Sequence, residues 1–349
     1  MIRVLGFALY GELAASTRHR LSQFRPRLID HGIDLTVTHL LGDDYLRSRF
    51  GGTSVPWASI LRSAVHRIDV LLRDHSYDRA IVHCETLPFV PELIERAMLR
   101  VPYMYDFDDA FFAKYRVGRF SALSPILGGK FDGVIERASC VSAGSRVLLS
   151  FASRLNRASH LMPTVVDVRR YPAKTSYRSD SFNIGWIGSP STAKYLEILK
   201  APLQAVAREF AVCLTVIGAT APRIEGVDVV SIPWSEATEA SAIREFDVGV
   251  MPLLDDEWSR GKCAFKLIQY MACGVPVVAS PVGANTDVVT ADCGFLASST
   301  DEWSEAFRRL RDDSAMRERL GSEGRRRVVS HYSLDVAAPK MADLIVGLA

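Results

Sequence analysis

The chain reads as an α/β protein of two Rossmann-like domains, each a parallel sheet covered by helices. Three observations predict this. Short apolar runs alternate with helical patterns from end to end, as parallel strands joined by crossover helices require. The 349 residues suffice for two domains of ordinary size. The stretch from Pro163 to Asp180 is polar, punctuated by Pro163 and Pro172, and lacks a core-facing period, so it divides the chain. The expected limits are a first domain over 1–165, a linker over 166–180, a second domain over 181–332 and a terminal helical segment over 333–349.

In the first half the apolar runs predict strands at Ile2–Ala8, Asp34–His39, Ala80–Cys84, Tyr103–Phe107, Cys140–Ala143 and His160–Pro163. In the second half they predict strands at Asn183–Ile187, Val212–Ile217, Val227–Ile232, Val248–Pro252, Pro276–Ser280 and Gly294–Ala297. Ligands of such sheets bind outside the carboxyl ends of the strands, so the two domains are expected to face each other across a cleft. The loop after the first strand contains Gly11, which would let backbone amides approach a phosphate or sugar. Arg18, Arg20, Arg25 and Arg27 follow without an intervening acid, with Leu21, Phe24 and Leu28 on the packed side and Pro26 expected to kink or end the helix. This is a surface helix or an acceptor face for an anionic lipid, with Arg18 and Arg20 as the acceptor-side candidates. Over Val55–Leu72, Trp57, Ile60, Leu61, Val65 and Ile68 are expected to cover the sheet, with a helix lying on a membrane as the alternative.

At the end of the fourth strand stands Tyr105-Asp106-Phe107-Asp108-Asp109-Ala110. Alternation puts Asp106 and Asp108 on one side, where the cleft begins. Carboxylates this close repel, so at least one needs a raised pKa or a basic partner. Both a helix-capping role and a catalytic one fit the pattern.

The most informative stretch runs from Gly261 to Ser280. Lys262, Lys266 and Gln269 or Tyr270 fall three to four residues apart and so share a helical face, while Leu267, Ile268 and Met271 supply the packed side. Gly274 and Pro276 stop the helix. Two lysines beside the free N–H groups of a helix start suit a diphosphate. The same spacing serves an ordinary amphipathic helix whose lysines face water.

Composition narrows the classes. With 48% hydrophobic and 23% charged residues and a formal charge of +2, the chain is globular, and its charge does not point to nucleic acid. No run approaches the ~20 apolar residues of a membrane span, and the N-terminus lacks a signal-peptide cleavage pattern. Cys84, Cys140, Cys213, Cys263, Cys273 and Cys293 form no Cys-x-x-Cys pair, and the eight histidines show no metal spacing. Reduced thiols, no metal and a cytoplasmic setting, peripheral to the membrane at most, are the expectations.

The order Gln269-Tyr270-Met271-Ala272-Cys273-Gly274-Val275-Pro276-Val277-Val278-Ala279-Ser280, followed by Val282-Gly283, resembles the nucleotide-sugar-binding segment of family 4 glycosyltransferases of the GT-B type. Asn183-Ile184-Gly185-Trp186-Ile187-Gly188-Ser189-Pro190-Ser191-Thr192 resembles the first strand and phosphate-proximal loop of their donor domain, with Ser191 or Thr192 able to cap the next helix. Asp247–Leu253 and Ala291–Leu296 resemble further parts of that domain, and Pro163–Asp167 its usual approach to the linker. The likeness covers most of the chain. It implies a retaining, metal-independent enzyme without a cofactor, moving a sugar from a nucleoside-diphosphate donor to a glycan or lipid-linked acceptor in surface polysaccharide or glycoconjugate synthesis. It implies a final helix that returns to the first domain, and donor contacts at Gly11, Gly188, Ser189, Lys194, Arg260, Lys262, Phe265, Lys266 and Gln269. Lys266 would stabilise the leaving diphosphate, and Asp108, with Asp106 as alternate, stands where relatives carry a cleft histidine that touches the sugar. The family's two spaced glutamates fall here at Gly261 and Gln269. Gln269 still accepts hydrogen bonds from a ribose, more weakly than a carboxylate. Gly261 removes a sugar contact, but some relatives carry a lysine where Lys266 stands, so the chain reads as a subfamily variant. An epimerase on the same two-domain scaffold and, given Gly261 and Gln269, a silent sugar-nucleotide scaffold are the alternatives.

Overall fold

The computed structural model describes residues 1–73, 76–178 and 181–348. Ser179 and Asp180 of the expected linker, and Ala349 of the terminal segment, lie outside the described residues. The strands are β1 (Ile2–Tyr10), β2 (Ile33–Leu41), β3 (Arg79–His83), β4 (Tyr103–Phe107), β5 (Cys140–Ala143) and β6 (Ser159–Leu161), then β7 (Phe182–Ile187), β8 (Val212–Ile217), β9 (Asp228–Ile232), β10 (Val248–Met251), β11 (Val277–Ala279) and β12 (Gly294–Leu296). They form two six-stranded sheets, ordered β2-β1-β3-β4-β5-β6 and β12-β11-β10-β7-β8-β9. Every ladder is parallel. The inner strands β1, β3, β4, β5, β7, β8 and β10 are apolar at consecutive positions because they are buried on both faces. The edge strands β2, β6 and β9 instead alternate or lie largely exposed. In β1, six consecutive residues are buried.

Two compact units result. The first comprises Met1–Val165, the short insert Gly261–Cys263 and residues 334–348; the second comprises Val166–Arg260 and Ala264–Ser333. The stretch read as a polar linker is packed inside the second unit as far as it is described. Tyr171 and Tyr177 are buried there, and Val166 bridges Ser333 while donating to the Tyr332 carbonyl at 3.0 Å. The last helix, Leu334–Val346, packs Ala337, Met341 and Ile345 against Val4, Ile81 and Met104 of the first sheet. Arg79 donates to the carbonyls of Ile345 and Val346 at that helix's end, where unpaired carbonyls favour a cation.

Two helical expectations need correction. The segment after β1 is broken into Ala15–Arg20, a 3₁₀ turn at Ser22–Phe24 and Arg25–Ile29, so Pro26 opens a helix and does not end one. The helix Trp57–Leu72 does not cover the sheet with its apolar stripe. It is anchored by Leu71 and by Arg67, whose guanidinium donates to the Ala8 carbonyl at 2.7 Å and lies 5.0 Å from the Phe7 ring. That face turns inward, so Trp57, Leu61 and Val65 are exposed. No helix among the described residues is long and apolar enough to cross a membrane.

The second sheet parts at its centre. β7 and β10 share only two register positions, Ile184 with Val248 and Gly185 with Gly249. The two glycines admit aromatic rings: a Cβ on Gly185 would lie 2.0 Å from Phe246, and one on Gly249 would lie 2.3 Å from Tyr270. Beyond that pair the strands diverge, and the Tyr270 hydroxyl spans the gap. It accepts from the Ile187 N–H at 2.9 Å and faces the Val250 carbonyl at 3.4 Å. Tyr270→Phe should destabilise the fold by about 1–3 kcal/mol through the orphaned Ile187 N–H, as read by urea unfolding. Gly185→Ala should cost about 1–3 kcal/mol by overpacking against Phe246. A change under about 0.5 kcal/mol for either would contradict this account.

Candidate active site

In the second unit the candidate residues Gly188, Lys266 and Gln269 lie where β7 and β10 part. The helix Phe265–Ala272 starts here, with Ala264 in the left-handed region at φ 54° as its N-cap. Its end is a Schellman closure: Gly274 at φ 75° donates to the Met271 carbonyl at 2.9 Å, and Val275 donates to the Tyr270 carbonyl at 3.0 Å. Tyr270, Ile268 and Leu267 bury the helix against the sheet and fix its N-terminus at the strand ends. Lys266 lies in the first turn. Its ammonium is 5.1 Å from the Trp186 ring, and a Cβ on Gly188 would come within 2.9 Å of its Cε. Gly188 therefore leaves room for both the indole and the lysine stem. Gly218, at φ 86°, sits against the Gly188 carbonyl and Trp234.

Gln269 is buried and donates to the Tyr171 hydroxyl at 3.1 Å. That hydroxyl donates to Glu239 at 2.7 Å, and Glu239 also accepts from the Trp234 indole at 2.8 Å. Gln269 is thus held through its amide nitrogen, and its amide oxygen is an acceptor. Sequence reading missed Tyr171 and Glu239.

Other predicted donor residues are placed less centrally. Ser189 shares a hydrogen bond with Ser191 at 2.8 Å. The helix after it, Pro190–Leu199, is 3₁₀ and has no side-chain cap, so neither Ser191 nor Thr192 serves as one. Lys194 is exposed, 5.2 Å from the Tyr195 ring. Arg260 is also exposed and grips Asp255 through two hydrogen bonds of 2.6 and 3.1 Å. Phe265 packs half-buried against the core. Lys262 does not share a helical face with Lys266. The chain breaks at Ala264, and Lys262 lies in the insert counted with the first unit, 3.4 Å from Asp109.

In the first unit a buried row crosses the sheet. His83, Asp106 and Ser142 are register partners on β3, β4 and β5. Asp106 has no exposed surface. It accepts from Ser142 at 2.6 Å, pairs with the His83 Nδ1 at 2.8 Å and takes a two-pronged contact from Arg20. Burial opposes its charge, but Arg20 and His83 outweigh that and hold the carboxyl well below the usual range. Arg20 also donates to the Met162 carbonyl at 2.6 Å. Two predictions fall here. Asp106 is saturated by protein groups and positions others, and Arg20 is an internal counter-ion and not part of an acceptor face. Arg18 is buried as well and donates to the Glu12 carbonyl at 2.6 Å. Gly11 makes room for Asp43, whose carboxylate would lie 2.3 Å from an added Cβ and accepts from the Leu13 N–H at 2.8 Å.

Asp108 and Asp109 both reach the surface, with 17% and 27% of their side chains exposed. The Asp108 carbonyl faces the Cys263 thiol at 2.9 Å. Burial pushes Asp109 up to about 6, against the pull of Lys262. Gly261 has Ala110 where a side chain would go, with an added Cβ 2.6 Å from the Ala110 Cβ. Beneath the site Glu85 is bound by Lys130 at 2.7 Å, Lys114 at 2.5 Å and Tyr115 at 2.8 Å. These contacts hold the loop that carries Cys84 and Phe89 at positive φ.

Comparisons with known proteins agree with this architecture. Residues 181–313 match the family model described as Glycosyl transferases group 1. The GDP-mannose-dependent monoacylated alpha-(1-6)-phosphatidylinositol monomannoside mannosyltransferase of Corynebacterium glutamicum is 30% identical over 80 residues, which span 22% of this chain and 21% of that protein. Among solved structures, HepE of Anabaena in complex with UDP-glucose superposes with a TM-score of 0.74 at 14% identity over 100% of both chains. Sucrose-phosphate synthase of Thermosynechococcus elongatus does so with a TM-score of 0.72 at 16% identity, over 99% of this chain and 98% of that one. The fold is GT-B.

Arg20→Leu leaves the Asp106 charge buried without its partner. It should lower unfolding free energy by about 3–5 kcal/mol, measured by urea denaturation. A loss below about 1 kcal/mol would mean that Asp106 is neutral or hydrated.

Proposed function

We propose that this protein transfers a sugar from a nucleoside-diphosphate sugar to a hydroxyl of a glycan or lipid-linked acceptor, with retention of anomeric configuration. The observation that carries the reading is the seat of Lys266. An ammonium in the first turn of a helix, beside a glycine at the carboxyl end of a central parallel strand, is where a diphosphate gains both charge and backbone donors. As the glycosidic bond breaks, negative charge grows on the diphosphate. Lys266 and the helix N-terminus stabilise that charge more than they stabilise the bound ground state, which lowers the barrier. The donor half requires no metal in this reading. Gln269, steadied by Tyr171 and Glu239, offers its oxygen to a ribose hydroxyl, and Trp234 borders the base.

The match of 181–313 to the glycosyltransferase model and the UDP-sugar bound to the structural relative support a nucleotide-sugar donor. Donor contacts by Gly188, Ser189 and Lys194, and an acceptor or sugar contact by Asp108, belong to the same proposal. Lys262 and Arg260 are assigned to their carboxylate partners. We place the reaction in the cytoplasm, in polysaccharide or glycoconjugate synthesis; the six cysteines are free thiols.

Thermal unfolding in the presence of UDP, GDP, dTDP and ADP, with a chelator present, tests the donor site. One nucleotide at ~100 times its dissociation constant should add ~2.7 kcal/mol and raise the midpoint by a few degrees. Lys266→Ala should weaken that binding by about 1–3 kcal/mol. No shift with any nucleotide would remove the diphosphate assignment. Binding without turnover of any donor would favour the silent scaffold. NMR of the first-formed product then reads the anomer, and an inverted one would overturn retention.

A further inference from the structure

At the carboxyl ends of β3 and β4 three different ligating atoms converge in the first unit. They are His83 Nε2, Cys84 Sγ and Asp108 Oδ1. The imidazole nitrogen and the sulfur are 3.3 Å apart, the sulfur and the carboxylate oxygen 3.8 Å, and the nitrogen and that oxygen 3.9 Å. A tetrahedral zinc ion with nitrogen, sulfur and oxygen ligands places them about 3.3–3.6 Å apart, given its bond lengths of about 2.0–2.3 Å. To hold such an ion the nitrogen and the carboxylate oxygen need to close by about half an ångström, the sulfur and that oxygen by about 0.2 Å, and the nitrogen and sulfur need to part by about 0.3 Å.

The surroundings favour the same occupant. Asp106 engages the other ring nitrogen of His83 at 2.8 Å, and it is itself fully committed to Arg20 and Ser142. A carboxylate behind a histidine fixes the tautomer that presents Nε2 as a lone pair, the usual support of a metal-binding imidazole. His83 and Cys84 are 2% and 3% exposed, so a ligating nitrogen and sulfur point at each other in a dry pocket. Asp108 is half-buried and opens one side to solvent. One Asp109 oxygen is buried nearby without a hydrogen bond. Two adjacent ligands and a third 24 positions on match no common metal motif, which is why the sequence carries no such signal.

We propose that His83, Cys84 and Asp108 bind one thiophilic divalent cation of the zinc type, with a fourth position open toward the exposed side of Asp108. Three protein ligands and a vacant position are the composition of sites that hold a water or a substrate oxygen. The cation would orient Asp108, the carboxylate assigned to the acceptor or sugar above. The donor diphosphate plays no part in this binding.

The test uses full-length protein freed of metal by chelation and titrated with Co²⁺ in the absence of nucleotide. One equivalent should bind with a thiolate-to-cobalt charge-transfer band and tetrahedral visible bands, and Zn²⁺ should displace it. Cys84→Gly, which suits the positive φ at that position, should abolish the charge-transfer band. It should also weaken binding by more than the about 10–100-fold typical of losing a second-sphere partner. Cys213→Ala should leave the band intact. A folded wild-type protein with no charge-transfer band would overturn the proposal, as would a band that survives in Cys84→Gly. Should that variant fail to fold, His83→Gln replaces it, and unchanged Co²⁺ affinity there is equally decisive. The nucleotide shifts are measured in chelator, so either reading can fail while the other stands.

Discussion

The carboxylate of Asp106 is the fixed point of the first unit. A charge with no exposed surface persists only when every oxygen is engaged, because the alternative is to protonate or to unfold. Four groups meet this need: Arg20 from the helix after β1, His83 from β3, Ser142 from β5 and, through Arg20, the carbonyl of Met162. Each comes from a different element, so the carboxylate ties strand ends and the first crossover together. It orients the histidine and so sets what His83 presents to Cys84 and Asp108. The same buried group thus stabilises the sheet and fixes a histidine at the carboxyl end of β3.

The second unit meets the corresponding problem with a neutral group. Where parallel strands part at a switch point, a backbone N–H and a carbonyl lose their ladder partners. The Tyr270 hydroxyl fills that position, and the paired glycines Gly185 and Gly249 make space for its ring. Because Tyr270 stands in the helix that carries Lys266, closing the gap also sets the distance from the lysine to Gly188 and Trp186. Stability and site geometry share one residue.

The sheets were legible because consecutive apolar residues flanked by Gly, Pro and polar turns have little alternative to a buried parallel strand. The stop at Gly274 was also readable. Other features depended on tertiary partners that local pattern does not encode. Nothing in Cys263-Ala264 announces a left-handed residue, so Lys262 and Lys266 looked like neighbours on one helix. Arg20 looked like a surface cation until Asp106, 86 positions away, supplied its partner. Gly11 suggested room for a phosphate, but the room is taken by Asp43. The stripe from Trp57 to Ile68 has the spacing of a packed face, yet Arg67 and Leu71 determine which side turns inward. The His83, Asp106 and Ser142 row was recoverable in principle, since aligning the ends of three predicted strands places them side by side.

The cation over Trp186 gives the molecule an optical property. Trp186 and Trp303 are sealed from water, whereas Trp57 is 76% exposed, so the five indoles report from very different surroundings. An ammonium above an indole face perturbs its excited state, and anything that draws Lys266 away relieves that perturbation. Trp186 is therefore an intrinsic fluorophore coupled to the lysine's position. A ligand that moved Lys266 would change this protein's own emission, without a label.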